Sequence, residues 1–416
     1  MINEFAPALF LLTGAFLVLA GTRVTRRVGL PGAIGCGVAL CIMAVAIGLL
    51  PVHCRAWWAG GSWGDRLLTS VCIVGLTGML FIAGARFNSG QLRSKFGLML
   101  GFALSAGVLF AVVVLLLKLQ GWLDSGPIVL VAATIIASSL WLPGELSRSD
   151  KEDNDLLIDW QAGAVVFAAL AMLAVYFYDN FAVLRNPRSG TSVYVIVALY
   201  ESVKLLVLFA FAYFISSRFL ARAEGRISAA RTTIGFVLIA ILIFALAAIT
   251  TNQLGALAWA FVAGALWHRS DIGKRFSESE RPLASATLIA FVFVPVLLQS
   301  HGRRLTGFLA LIIAVLLAMV FKWIFVWVGI RSVGKSSSHA GRISAAMVGP
   351  GEMAILFLGF GMTRWVIDAP VYFGILGYSL VSIVVTPLLW HFATVGREAV
   401  GRDLEATGKP RAAIYQ

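Results

Sequence analysis

Apolar residues along this chain come in long, nearly uninterrupted runs. Thirteen runs are legible, over 5–21, 29–50, 66–86, 95–117, 127–142, 157–178, 190–216, 232–250, 254–268, 283–299, 305–331, 342–362 and 371–394. A helix needs about 20 such residues to cross a hydrocarbon core roughly 30 Å thick. The runs 127–142 and 254–268 are the shortest. Segments of about 10 residues with alternating polarity, which would mark a transmembrane barrel, do not occur. The pattern predicts an all-α polytopic membrane protein of about 13 transmembrane helices. No basic stretch precedes the first run, Phe5 to Gly21, so it reads as a retained helix and not as a cleaved signal.

Thirteen runs divide into six, a linker helix and six. An odd total makes the second six run through the membrane in the opposite sense to the first. The fifth run of each half is interrupted by the same triplet, Pro143-Gly144-Glu145 and Pro350-Gly351-Glu352. The third runs correspond more loosely, Phe81 to Phe87 with Phe293 to Leu297. Pro and Gly release backbone amides and carbonyls, which membrane depth tolerates only where they line a cavity or a site. Interruptions at matching positions of inverted halves point to the midplane site of a transporter. The expectation is two inverted six-helix repeats whose broken helices cross. The residues of that site are Thr134, Ser138, Ser139, Pro143, Gly144 and Glu145 in the first half, and Gly349, Pro350 and Gly351 in the second. The expected divisions are a first repeat over 1–178, a linker over 179–231, a second repeat over 232–394 and a short tail over 395–416.

Composition and charge refine this picture. The chain is 60% hydrophobic and 13% charged, with a mean hydropathy of +0.91. Such a surface is suited to lipid. The net charge of +13 would suggest nucleic acid in a soluble protein, but here the basic residues lie in short loops between runs. With the N-terminus outside, 23 of the 33 lysines and arginines fall on the inner side and 8 on the outer; Lys204 and Lys322 fall inside runs. The excess of positive charge inside predicts an inner-membrane protein with its C-terminus in the cytoplasm. The four cysteines, Cys36, Cys41, Cys54 and Cys72, form no CxxC pair, and the five histidines show no metal-binding spacing, so no metal and no cofactor are expected. Gly329 to Ser336 spells a phosphate-loop pattern, but it follows a membrane helix where the motif needs a strand. No nucleophile–base constellation stands out, so the protein is not read as an enzyme.

An ionisable side chain inside a run is a functional candidate because hydrocarbon penalises its charge. Lys322 lies about nine residues from the inner end of its run, roughly 13 Å at helical rise, a long reach for the ammonium to the interface. Glu352 follows Gly351 at a helix start, where the dipole favours a carboxylate. Asp159 opens the sixth run behind the charged stretch Asp150 to Asp155, which reads equally as an attractor of cations or as a solvated loop with a capping Asp. Glu201 and Lys204 share a helix face in the linker and are expected to pair.

Taken in order, Arg27 to Gly32, Phe81 to Gly84, Ala260 to Leu266, Phe291 to Leu298, Lys322 and Gly349 to Ala354 resemble the transmembrane domain of the cation/proton antiporter superfamily, in the branch of bacterial sodium/proton antiporters and potassium-efflux proteins. The resemblance implies a homodimer in the lipid bilayer. It also implies elevator-type exchange of a monovalent cation, Na+ or K+, against protons. Lys322 matches the family's core lysine, and Asp159 matches the first residue of its Asp-Asp, Asn-Asp or Gln-Asp pair. Trp160 stands where the second, ion-binding Asp belongs. The expectation is therefore that Asp159, with Glu352 as the alternative, pairs with Lys322 as the proton-coupling group. A site with one carboxylate fewer predicts weak or electroneutral exchange, or a transporter-like sensor, regulator or assembly partner without exchange. An anion or organic-solute carrier on a related fold is a third reading.

Overall fold

The structure is a computed structural model. It describes residues 2–28, 95–120, 125–140, 154–183, 195–204, 308–364 and 369–406, and shorter pieces at 34–35, 38–39, 42, 80–81, 83–85, 142, 206–207, 210, 214 and 260–265. Pro143, Gly144 and Glu145 lie outside the described residues, as do most of the runs 29–50, 66–86 and 190–216 and all of 232–250 and 283–299. Among the described residues every regular element is a helix: α1 (Ile2–Arg27), α2 (Phe96–Gln120), α3 (Ser125–Ile136), α4 (Asn154–Val183), α5 (Phe308–Ser332), α6 (Ser337–Met347), α7 (Glu352–Arg364) and α8 (Ala369–Ala406). Among the described residues, four stretches are long and apolar enough to cross a membrane: Phe96–Gln120, Asp155–Asn180, Ile313–Ser332 and Gly374–His391. The last helix continues through Ala406, so the first part of the expected tail is helical.

Lipid and protein compete for each helix, and the side chains divide accordingly. On α2, Leu98, Phe102, Ala106, Leu109 and Val113 are buried, while Phe96, Leu100, Leu104, Val108, Leu115 and Leu119 are exposed. Both faces are apolar, because one meets lipid tails. On α4 the buried stripe is Leu156, Trp160, Ala164, Phe167, Ala171 and Val175, at three- and four-residue spacing. On α5 it is Val315, Met319, Lys322, Val326 and Ile330. Lys322 thus occupies a core position of a helix whose neighbouring Phe321, Trp323 and Ile324 are exposed.

Small residues let these helices approach closely, which is how helices gain contact where lipid removes the hydrophobic drive between them. A Cβ on Gly101 of α2 would stand 3.0 Å from the Gly329 carbonyl of α5, and one on Gly329 would stand 2.8 Å from Ser105 Oγ. The segments 80–85 and 260–265 meet in the same way. Gly84 and Gly264 each sit so close that a Cβ would fall on the carbonyl of the opposing Phe261 or Phe81, and 2.9 or 2.8 Å from the amide of Ala265 or Ala85.

Candidate functional site

The first interrupted helix ends at Ile136, and residues 137–140 run non-helically. The interruption starts one residue before the expected Ser138. The second ends at Met347, passes through Val348, Gly349 and Pro350, and restarts as α7 at Glu352. Gly351 makes this turn at φ +52, a left-handed conformation that favours glycine. The two interruptions cross in contact. Ser139 N–H donates to the Gly349 carbonyl at 3.2 Å, and Ser138 Oγ donates to the Met347 carbonyl at 3.1 Å. A Cβ on Gly351 would stand 2.8 Å from Ser139 Cβ. Of the other expected site residues, Thr134 donates to Leu130 O within its own helix at 2.8 Å, and Glu352 is the first residue of α7.

α8 supplies hydroxyls to the second interruption. Tyr378 donates to Val348 O at 2.8 Å, Ser379 donates to Gly351 O at 2.9 Å, and Ser382 Oγ accepts from Gly351 N–H at 3.3 Å. With Thr386, the serines form a fully buried stripe at helical spacing. None of Ser379, Ser382 and Thr386 is among the site residues expected from the sequence. The legible signal of the stripe was Ser-x-x-Ser-x-x-x-Thr inside an apolar run, since hydroxyls at membrane depth seek backbone partners.

Lys322 is fully buried, and its ammonium donates to the Ala137 carbonyl where α3 ends. A cation there is favoured by the negative end of the helix dipole and takes up a carbonyl that has lost its helical partner. The Phe167 ring of α4 lies 5.9 Å from Nζ. α4 otherwise offers this region Gly163, where a Cβ would stand 2.6 Å from Met347 Sδ and 2.8 Å from Phe102 Cζ. Among the described residues, the α4 face toward the crossing is apolar.

Asp159 does not pair with Lys322, contrary to the expectation. Its carboxylate is fully buried and meets three cationic or potentially cationic groups: Lys95 Nζ at 2.9 Å from Oδ1, Lys335 Nζ at 3.0 Å from Oδ2, and His339 Nε2 at 2.9 Å from Oδ2. The Lys95 contact is an ion pair without hydrogen-bond alignment. The reason is height along the bundle. Lys335 is thirteen residues beyond Lys322, roughly 20 Å at helical rise. Asp159 sits in the second turn of α4, beside the turn joining α5 to α6. Lys95 also reaches the exposed Asp155 at 3.5 Å. Partial burial pulls the Lys95 pKa down, but the Asp159 and Asp155 carboxylates outweigh it and hold it above the ordinary lysine value. These three partners had no sequence signal, being far apart along the chain and in loops or at helix starts.

The false phosphate-loop pattern has a structural role in this cluster. Gly334 turns the chain at φ +84 after α5, Lys335 reaches Asp159, and Ser336 caps α6 by accepting from His339 N–H at 3.2 Å. Trp160 is buried and stacks on Trp390 of α8, with ring centres 4.8 Å apart and planes at 29°. The Arg342 guanidinium lies 5.6 Å from the Trp390 ring.

A family model described as sodium/hydrogen exchanger, transmembrane, matches residues 6–392. The chain belongs to the sodium/hydrogen exchanger family. Exchangers of this family are multi-pass membrane transporters and not enzymes. No curated protein matches the chain. Among solved structures it is similar to the sodium proton antiporter MjNhaP1 from Methanocaldococcus jannaschii at pH 8, with 10% identity, a TM-score of 0.62, and coverage of 95% of this chain and 96% of that one. At that identity the likeness establishes a shared fold, in agreement with the crossed interruptions. Within this exchanger, Lys322 stands at the crossing, whereas Asp159 stands in a separate ionic cluster.

Proposed function

We propose that this exchanger is a monovalent cation/proton antiporter in which Lys322 carries the proton. The observation behind this reading is the ammonium of Lys322 on the Ala137 carbonyl, at the crossing of the interrupted helices. A charged Lys322 acts as a tethered cation at the end of α3. When it gives up its proton, the helix end becomes available to an incoming Na+ or K+; when a proton returns, the ammonium displaces the ion. One proton then exchanges for one monovalent cation, without net charge movement. Glu352, in the first turn of α7, is the second candidate for the coupling. The crossing is carried within the 1–394 exchanger region by elevator-type alternating access, in a homodimer of the inner membrane with its N-terminus outside.

One observation favours the alternative, a transporter-like protein without coupled exchange. The Trp160–Trp390 stack fills the position at which the family resemblance puts the ion-binding carboxylate. Everted vesicles decide between the two. With an imposed pH gradient, Na+, K+ or Li+ should dissipate it in vesicles holding the wild type and not in vesicles holding Lys322→Met. If no cation dissipates the gradient in the wild type, the antiporter reading fails. If Lys322→Met exchanges like the wild type, the coupling role passes to Glu352.

A further inference from the structure

Each carbonyl of the second interruption, from Met347 to Gly351, already has a donor. Met347 O accepts from Ser138 Oγ at 3.1 Å and Gly349 O from Ser139 N–H at 3.2 Å, both from the first interruption. Pro350 O accepts from Met353 N–H at 3.1 Å in the first turn of α7. The other two are taken by α8: Val348 O by the Tyr378 hydroxyl at 2.8 Å, and Gly351 O by the Ser379 hydroxyl at 2.9 Å. A buried serine or threonine in a membrane helix ordinarily donates to a carbonyl three or four residues back on its own helix. Thr134 and Ser344 do this, on Leu130 O and Ala340 O. So does Ser382, on Ser379 O at 2.8 Å, which leaves its oxygen to accept from Gly351 N–H at 3.3 Å. Ser379 instead reaches across to another helix, and Tyr378 beside it does the same.

α8 also closes the space over this interruption. A Cβ on Gly349 would stand 2.5 Å from Ser382 Cβ and 2.5 Å from Thr386 Oγ1, so not even a methyl group fits between the two. Tyr378, Ser379, Ser382 and Thr386 are all buried there. The first interruption is held differently. Its Ala137 carbonyl faces a positive charge, the ammonium of Lys322, on a side chain that is free to swing aside. A cation that sheds water at membrane depth needs carbonyl oxygens in its place. An oxygen already engaged by a neutral, close-packed hydroxyl offers itself poorly for that purpose, whereas one that holds an ammonium is already set for positive charge.

We propose that Tyr378, Ser379 and Ser382 of α8 are positioning residues that withhold the carbonyls of the second interruption from the transported cation, so that the cation is met at the first interruption, where it competes with the Lys322 ammonium. The two crossed interruptions then have unequal parts: one receives the ion, and the other is a closed wall. The proposal rests on the antiporter reading for its use in exchange, but cation binding reads it without transport.

The test uses the full chain in detergent. Its melting midpoint is titrated with NaCl, KCl and LiCl against choline chloride at matched ionic strength, since an ion that binds the folded protein raises the midpoint with its concentration. Tyr378→Phe frees the Val348 carbonyl and Ser379→Ala frees that of Gly351. A buried acceptor stripped of its donor is costly, and a cation that takes it up recovers that cost. Each variant should therefore melt below the wild type in choline and bind at least one of the three cations about tenfold more tightly. Ser379→Thr keeps the hydroxyl and should titrate as the wild type does. If both hydroxyl-deleted variants titrate like the wild type, the hydroxyls are structural only and the proposal is overturned. Weaker binding overturns it as well, because the second interruption is then part of the ion's own seat. If the wild type shows no cation response and the variants acquire one, the proposal stands and only the antiporter reading fails. Should either variant not fold, rubidium in crystals of the wild type decides: anomalous density at the Ala137 carbonyl supports the proposal, and density against any carbonyl from Met347 to Gly351 overturns it.

Discussion

Asp159→Asn separates the two roles open to this residue. In the structure it is the buried anion of an ionic cluster that ties α2, α4 and the α5–α6 turn together, so the main loss should be stability. At 3 Å and an effective dielectric of 20, each ion pair is worth about 5.5 kcal/mol before desolvation. Desolvation cancels most of that, and breaking a buried pair typically costs about 3–5 kcal/mol because the partner is stranded. Here the partner side chains remain partly exposed, Lys95 at 18%, His339 at 20% and Lys335 at 33%, so water compensates them in part. A loss of about 2–3 kcal/mol is the reasoned value. At about 2 °C per kcal/mol for a chain of this size, detergent-solubilised Asp159→Asn should melt about 4–6 °C below the wild type at the same heating rate. Lys335→Met in the Asp159→Asn background should cost less than in the wild type, by more than about 1 kcal/mol. If Asp159→Asn melts within about 1 °C of the wild type while exchange is lost, the cluster reading is refuted and Asp159 returns to the ion path.

Three further outcomes follow from the geometry. Gly351→Ala should cost about 2–4 kcal/mol, the sum of a left-handed backbone and a Cβ against Ser139, and should lower the thermal midpoint more than Gly334→Ala, whose Cβ meets nothing; equal effects would mean the crossing is loosely packed. Gly264→Val should separate the 80–85 and 260–265 segments, lowering folded yield by fluorescence-detected chromatography, and a wild-type profile would argue against that backbone contact. Because its carboxylate partners hold the Lys95 pKa above the ordinary value of 10.5, the stability Lys95 contributes is complete below the unfolded value and is lost only as pH rises through the folded one. Wild type and Lys95→Met should therefore differ in melting by the same amount at neutral pH and at moderately alkaline pH, and the difference should shrink only at more alkaline pH.

Much of this protein follows from local patterns. Run length and the absence of alternation dictate helices in lipid, because only a helix or a closed barrel satisfies its own backbone there. The helix interruptions were legible because Gly349, Pro350 and Gly351 cannot continue an α-helix without losing backbone bonds, and the inward aim of Lys322 because an ammonium cannot face hydrocarbon. The Glu201–Lys204 pair was legible because three residues along a helix bring two side chains to one face. The partners of these groups were decided by the tertiary structure. Lys322 and Asp159 carry opposite charges, but charge alone does not specify height: packing leaves Lys322 at the end of α3 and Asp159 beside the α5–α6 turn. Asp159 then takes Lys95, Lys335 and His339, groups on three separate segments that no spacing along the chain relates. Trp160 was visible as a departure from the family pattern, but only the fold brings Trp390 against it, since stacking depends on where two distant helices meet.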